Sequence, residues 1–257
     1  MKASLVCALL LCLGATGRPS AAATPPPTLP SLRHLVFSFN VSIKDELEQR
    51  LEGVVRSDTG MGGGTGLVSS GDRNQVGASA AGKGTIVCDV VAATQDGGLV
   101  VDVSEDSVER RRPTVRVAIL ENGRLSFPPD SQLNDEETVL LGFLSRGLLG
   151  GTQRETGSQW SVEDGAGDYS AKTTYRVAAA PSDGALKLDV AAEYRQRGAR
   201  SYTTDLNAKL DYDAAKLVPT KALVTSKTRR ETPQQYQTTD ESIDLSLLED
   251  SFAKAKP

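Results

Sequence analysis

Residues 202–212 read YTTDLNAKLDY, and their side chains alternate between two kinds along the whole stretch. Positions 206, 208 and 210 carry Leu, Ala and Leu, whereas positions 205, 207, 209 and 211 carry Asp, Asn, Lys and Asp. A period of two is typical of a β-strand with one buried face and one solvated face. The stretch therefore predicts a long strand in a sheet that is apolar on one side and polar on the other.

Similar strand-like segments extend from this stretch in both directions. Turn signals separate them, among them the dipeptides Asp183-Gly184 and Arg197-Gly198 and the hairpin dipeptide Asn122-Gly123. Short connections of this kind join antiparallel neighbours. We therefore expect a meander whose further strands lie near residues 35–43, 85–93, 99–104, 115–119, 125–127, 169–177, 186–194, 218–228 and 236–248.

One segment, at about residues 134–149, has the signals of a helix instead. Asn134 is a favourable N-cap residue, and Glu137 stands at the spacing of a capping box. Apolar residues then recur at helical spacing until Gly150 and Gly151. The segment predicts a single amphipathic helix.

Long strands with one apolar face and one helix to cover them predict a mainly β (α+β) fold. We expect a strongly curved antiparallel sheet or half-barrel, with the helix at about residues 134–149 packed on its concave face. A flat open sheet would leave too much apolar surface in water.

Composition divides the chain into a leader, a spacer and one domain. Residues 1–23 have the features of a signal peptide, since Lys2 precedes an apolar run and small residues follow. Cleavage after Ala23 is favoured over cleavage after Gly17. The predicted units are a signal peptide at 1–23, a proline-rich spacer at 24–33, a single β-rich domain at 34–250 with a flexible Gly-rich loop at about 53–82, and a tail at 251–257.

The leader predicts export to a periplasmic or extracellular space, with the signal peptide cleaved. Cys7 follows Val6 and Cys12 follows Leu11, so neither has the small preceding residue of a lipid-anchored cysteine. We therefore expect no lipid anchor. The best later apolar run, at 139–149, is too short to span a bilayer, so we expect no transmembrane segment in the mature chain.

Charge and residue counts set several chemistries aside. The net charge of −4 lacks the basic excess of nucleic-acid-binding proteins, so we expect no nucleic-acid partner. The mature chain would keep one histidine, His34, and one cysteine, Cys88, which cannot supply a typical metal site or catalytic triad. Cys88 shares a strand face with apolar neighbours and is interpreted as a small buried residue. We predict no metal and no cofactor.

A glycine-rich stretch comes close to a phosphate-binding loop. Gly77 is followed by Gly82, Lys83, Gly84 and Thr85. A phosphate-binding loop requires a strand before it and a helix after it. Here a low-complexity stretch precedes the glycines and a strand-like segment follows, so we expect no nucleotide site.

Paired carboxylates can catalyse glycoside hydrolysis, and the chain has many acids. No pair of them stands out, and turns and solvated strand faces are where solubilising acids belong. We therefore assign no catalytic residue and expect the chain not to be an enzyme. The acids considered are Asp102, Glu105, Asp106, Glu163, Asp164, Glu193 and Asp205.

The order of elements, long antiparallel strands with one helix at 134–149, resembles the lipoprotein-carrier (LolA-like) group of envelope proteins. In that group a half-open β-barrel with a helical lid holds acyl chains. The resemblance covers the order of elements across the mature chain and assigns no residue a role. Residues 210–221 also look similar to strand-turn-strand units of uncharacterised exported bacterial proteins.

These observations favour a non-catalytic envelope or secreted protein that binds a lipid or other apolar ligand between sheet and helix. The alternatives are a structural or protein-interaction module of the cell envelope, which would contact an envelope protein partner, and a hydrolase with paired carboxylates. The sequence leaves open whether the inward residues line a cavity or fill a core. The candidate lining residues are Phe37, Phe39, Val101, Val117, Leu140, Phe143, Leu144, Leu188 and Leu206.

Overall fold

The computed structural model describes residues 30–49, 75–95, 97–107, 113–120, 123–128, 131, 133–144, 155–179, 185–198, 201–232 and 235–252. The predicted signal peptide lies outside these residues, as do most of the spacer, most of the Gly-rich loop and nearly all of the tail. Within them the elements are β1 (Arg33–Gln49), β2 (Gln75–Ala93), β3 (Leu99–Ser107), β4 (Val115–Ile119), β5 (Leu125–Ser126), α1 (Asp135–Phe143), β6 (Gln159–Ala166), β7 (Tyr169–Ala179), β8 (Ala185–Gln196), β9 (Ser201–Asp213), β10 (Val218–Glu231) and β11 (Gln235–Phe252).

All the strands belong to one 11-stranded sheet in the order β5-β4-β3-β2-β1-β11-β10-β9-β8-β7-β6. Each half is an antiparallel meander, and the pairing of β1 with β11 joins the two halves. The edge strands β5 and β6 are therefore consecutive along the chain. The chain between them has to pass from one edge of the sheet to the other, and α1 lies on that path.

The predicted fold class is confirmed, because the sheet is curved and unclosed and the described residues include a single helix. Inward side chains of both meanders and the apolar side of α1 form one core. Leu245 illustrates the register, since it stands between Phe39 on β1 and Ala222 on β10, and all three side chains are buried. Burial of the concave face thus links strands that are distant in sequence.

Strand β2 differs from expectation, because residues 75–82 were predicted as the end of the Gly-rich loop and instead belong to the strand. They pair with β1 through the backbone, which small residues allow without burying large side chains. A Cβ atom on Gly84 would lie 2.8 Å from Cε1 of Phe39 and 2.7 Å from the Asp106 carbonyl oxygen. Gly84 is therefore required for close packing, and Gly77, Gly82 and Gly84 are strand residues with no helix directly after them.

The start of α1 agrees with the predicted cap. The Asn134 backbone N–H donates to Glu137 Oε2 at 2.7 Å, which is one half of a capping box. The Asn134 side chain donates to Glu105 on β3, which ties the helix start to the sheet. The helix ends at Phe143, and residues 145–150 lie outside the described part. No helix in the described ranges has both the length and the apolar character needed to cross a membrane.

An ion pair fixes the two ends of the domain to each other. Arg33 on β1 donates from Nε and Nη2 to the two carboxylate oxygens of Asp250 on β11, at 2.8 and 2.9 Å. Its Nη1 also donates to the Lys216 carbonyl oxygen at 2.6 Å, in the turn between β9 and β10. Bidentate arginine–carboxylate pairs add geometric specificity as well as energy. The contact therefore helps to set the register of β1 on β11.

The assignment of inner and outer faces can be tested with two leucines on neighbouring strands. Leu245 is 1% exposed and Leu223 is 50% exposed. We expect Leu245→Ala to lower the free energy of unfolding by about 2–5 kcal/mol, because it leaves a cavity in the core. We expect Leu223→Ala to change it by about 0.5 kcal/mol or less. Urea unfolding followed by circular dichroism measures both, and equal losses would contradict the assigned faces.

Candidate functional site

Inward side chains form rows across the strands, and the rows change from apolar to polar along the strand direction. An apolar row consists of Val41, Ile243, Val224, Ala208 and Val190. The next row is mixed and consists of Ile43, Glu241, Ser226, Leu206 and Ala192. The row beyond it is polar from β1 to β9, where it consists of Asp45, Thr239, Thr228 and Thr204, and it continues with Tyr194 on β8.

The polar row is held by hydrogen bonds of its own. Thr204 and Thr228 share a hydrogen bond of 2.9 Å between their hydroxyl groups. Thr239 Oγ1 donates to Asp45 Oδ1 at 2.5 Å. Buried polar groups need such partners, because an unpaired one costs free energy. The concave face therefore has a built polar end next to its apolar part.

A cavity of about 200 Å³ lies between α1 and the concave face, where the apolar rows meet the polar end. Its helix side is formed by Thr138, Val139, Gly142 and Phe143. The aliphatic part of its sheet side consists of Leu125, Val162, Ala171, Val190, Ala192, Leu206, Val224 and Ile243. Gly142 leaves open space, since a Cβ atom built on it would meet no atom within 4 Å. The small residue on the helix is therefore one reason why the interface is not filled.

The cavity opens at the gap between the two edges of the sheet. Arg124, beside β5, places its Nε 3.3 Å from Oδ2 of Asp164 on β6, and both residues line the cavity. Their side chains are 56% and 38% exposed, whereas the lining residues on the central strands β10 and β11 are mostly buried. An ion pair this exposed contributes little stability. The edges thus meet through side chains rather than through a strand pairing.

One wall of the cavity is aromatic. Tyr169, Tyr175 and Tyr194 line it, and Trp160 stacks on Tyr175 with ring centroids 5.4 Å apart. Burial raises the pKa of each of these tyrosine hydroxyls above the usual phenol value, so they stay neutral at physiological pH. Tyrosine offers an apolar ring face together with a polar tip. The wall can therefore contact an apolar group along its faces.

Glu241 is the buried acid of the cavity. It is 7% exposed, its Oε2 accepts from Ser226 Oγ at 3.3 Å, and its carboxyl group also hydrogen-bonds with the Asp135 side chain. Burial, together with the negative charges of Glu136 and Asp45, raises the pKa of Glu241 to about 7, although hydrogen bonds with Ser226 and Asp135 oppose the rise. The carboxyl group is therefore partly protonated near neutral pH.

The structure brings the predicted lining residues to one interface but places few of them in the cavity. Phe143 and Leu206 line it. The others belong to the buried core that surrounds it, and they are Phe37, Phe39, Val101, Val117, Leu140, Leu144 and Leu188. The interface thus contains both a packed core and a cavity, which the sequence had left as alternatives.

The isolated histidine and cysteine lie apart from the cavity. Cys88 is fully buried in the core, as predicted, and burial raises the pKa of its thiol. His34 lies at the start of β1, where its Nδ1 is 2.8 Å from Asp89 Oδ1 in a partly exposed pair. Neither residue lines the cavity.

Most of the acids considered from the sequence contact a basic group or a helix cap. Glu105 is buried and accepts from the Asn134 side chain. Such pairing is typical of structural carboxylates on a sheet. The ion pairs are Asp102 with Arg116, Glu163 with Lys172, Asp164 with Arg124, Glu193 with Arg195, and Asp205 with Arg229.

A second depression, of about 870 Å³, is lined mostly by outward-facing residues of the central strands. Four of its charged groups form two ion pairs. Lys227 Nζ lies 3.4 Å from Asp240 Oδ1, and Arg229 Nη1 lies 2.8 Å from Asp205 Oδ2. Mutually paired, exposed charges are typical of a solvated sheet face. The candidate site is therefore the cavity on the concave side.

Comparison with known proteins adds little to this picture. No protein-family model and no curated protein matches the chain. Among solved structures, one described as lipid–protein interactions in lipovitellin aligns with 90% of this chain, at 12% sequence identity and a TM-score of 0.43. The chain spans 26% of that lipovitellin chain. A likeness at this level carries no information about a ligand or an activity.

Sequence reasoning missed Glu241, Gly142 and the tyrosine wall. The sequence contained a signal for Glu241, because alternation along the strand places it on the same face as the apolar residues Ile243 and Leu245. Gly142 stands inside the helix pattern, where glycine is unfavourable without a packing or functional reason. Neither signal shows which residues meet across the interface, since that depends on strand register.

The raised pKa of Glu241 predicts a pH dependence of stability. The folded protein holds a proton that the unfolded chain releases between pH 4.5 and about 7, so stability falls as the pH rises through this range. The loss is on the order of 3 kcal/mol. We expect Glu241→Gln to flatten this part of the profile in urea unfolding measured at several pH values.

Glu249→Gln is the matched control, because Glu249 is exposed on the same strand. Its profile should follow that of the wild type. Parallel profiles for Glu241→Gln and the wild type would show that Glu241 is not desolvated in the folded protein.

Proposed function

We propose that this chain is a non-catalytic, exported binding protein that holds a lipid or other apolar ligand between its curved sheet and α1. The observation that carries the proposal is the cavity of about 200 Å³ at the sheet–helix interface. The export step rests on the features of residues 1–23 as a signal peptide.

The lining has the composition expected of a ligand site. Such sites are concave and mostly apolar, with a few polar groups that orient the ligand. Here Phe143, Val190 and Tyr175 are among the apolar and aromatic contacts, while Glu241 and Ser226 provide polar groups. The polar contacts Glu241 and Ser226 lie in the mixed row, next to the apolar row that contributes Val190, so a ligand with a polar end would bind in one orientation.

The size of the cavity restricts what it encloses. An engineered apolar cavity of about 150 Å³ binds benzene. A cavity of about 200 Å³ therefore encloses one ring or a short chain. A longer acyl chain would leave the cavity through the gap between β5 and β6, where Arg124 and Asp164 are exposed.

A protein-interaction module is the alternative, and the edge strand β6 favours it. Among the described strands, β6 pairs with β7 alone, so its other edge is open. An open strand edge can add a strand from a partner. This function would use the backbone of β6 and would not need the cavity.

A substitution on α1 that fills the cavity distinguishes the ligand-binding function from the protein-interaction function. We expect Gly142→Phe to place a ring in the open space beside Gly142 and to weaken binding of a small neutral probe, 2-phenylethanol, at least tenfold. The helix should tolerate the change, because glycine is the weaker helix former. Isothermal titration calorimetry measures binding, and circular dichroism confirms folding.

Leu223→Phe adds the same ring on the outer face, where Leu223 is exposed, and should bind the probe as the wild type does. Unchanged binding by Gly142→Phe would place the probe outside the cavity. A solvent-extracted wild-type protein that binds no 2-phenylethanol would contradict the proposal and favour the interaction module.

A further inference from the structure

The aromatic wall of the cavity is held in place by neighbouring side chains. Trp160 stacks on Tyr175 with an angle of 17° between the ring planes, and Trp160 itself does not line the cavity. One face of the Tyr175 ring is thus occupied, and the rest of the ring contacts the cavity. Tyr194 is fixed by a hydrogen bond with the Thr173 side chain. The wall therefore presents aromatic surface whose orientation is set before a ligand binds.

Aromatic surface of this kind discriminates between ring types. Aromatic rings prefer offset-stacked or edge-to-face partners, and such pairs are stabilised beyond the burial of their area. A saturated ring or an acyl chain gains only from the burial of its area. The sheet side of the cavity contributes Tyr175 and Tyr194, and the helix side contributes Phe143. A planar ring in the cavity would therefore meet aromatic side chains from both the sheet and the helix.

The acidic and basic residues that line the cavity already have partners. Arg124 pairs with Asp164 at the opening. Glu241 hydrogen-bonds with the Ser226 and Asp135 side chains. A charged ligand would lose its hydration without gaining a counter-ion, unless one of these pairs were broken. The lining therefore favours a ligand that carries no charge.

We propose that the cavity binds an uncharged compound with one planar aromatic ring, which packs against Tyr175 and Tyr194 while its polar end lies beside Ser226. This ligand class rests on the proposed function, since it occupies the same cavity. A single ring matches the enclosed volume of about 200 Å³. Hydrophobic burial alone would give a saturated ring of the same size no disadvantage, so a preference for the aromatic ring is specific to this wall.

Four probes of similar size separate the effects of ring type and charge from that of hydrophobic burial. Calorimetry at pH 6 compares 2-phenylethanol with its saturated counterpart 2-cyclohexylethanol and with the charged analogues phenylacetate and 2-phenylethylamine. At this pH the Glu241 carboxyl, with its pKa of about 7, is mostly protonated. We expect the wild type to bind 2-phenylethanol about three- to tenfold more tightly than 2-cyclohexylethanol. Both charged analogues should bind roughly tenfold or more weakly than 2-phenylethanol.

Tyr175→Leu tests the role of the wall. Leucine keeps an apolar contact but removes the aromatic ring, so the preference for 2-phenylethanol over 2-cyclohexylethanol should fall to about twofold or less. Tyr236→Leu is the matched control, because Tyr236 lies on the opposite face of β11 from Glu241 and does not line the cavity. The control should keep the preference of the wild type.

Each result has a definite meaning. A wild type that binds 2-phenylethanol, but no more tightly than 2-cyclohexylethanol or a charged analogue, overturns the aromatic-ring inference and leaves the proposed function standing. A folded Tyr175→Leu variant with the wild-type preference also overturns it. A wild type that binds no 2-phenylethanol overturns both. If Tyr175→Leu fails to fold, NMR of the wild type decides. NOEs between the phenyl protons of bound 2-phenylethanol and the ring protons of Tyr175 or Tyr194 support the inference, whereas a bound probe without them overturns it.

Discussion

The pairing of the first strand with the last is the interaction on which the rest of the structure depends. β1 and β11 pair along their whole length, from Arg33 with Phe252 to Gln49 with Gln235, and the Arg33–Asp250 ion pair anchors one end. This pairing makes one sheet of two meanders and leaves β5 and β6 as its edges. Because these edges are consecutive in the chain, the connection between them crosses from one to the other. That path places α1 over the concave face.

The cavity follows from what the crossing helix can cover. One end of the concave face packs against α1 as a dense core, whereas Gly142 leaves space where the apolar rows end. The acidic first turn of α1 lies buried near the polar row of the sheet, and Glu136 there faces Glu241. Buried acids that face each other destabilise a fold unless they are protonated or compensated.

Local patterns were enough to predict much of the fold. The period of two identified the strands other than β6, and Asn134 with Glu137 identified the start of α1. The pairing of β1 with β11 could not be predicted from the sequence, because it joins residues at opposite ends of the domain. Alternation identifies the buried face of a strand but does not specify which strand pairs with it. The strand at residues 75–82 was missed because its pairing uses backbone groups of small residues. Prediction of the site would have required the strand register, because Glu241, Glu136 and Asp45 come from three separate elements.

The most direct test of the account is native mass spectrometry of the protein purified from its natural source without refolding. The spectrum is recorded before and after extraction with organic solvent. We expect a stoichiometric adduct of small mass that disappears on extraction and returns when an apolar ligand is added. A bare protein mass in every sample, with no uptake of added apolar ligands, would contradict the claim that the sheet–helix interface is a ligand site.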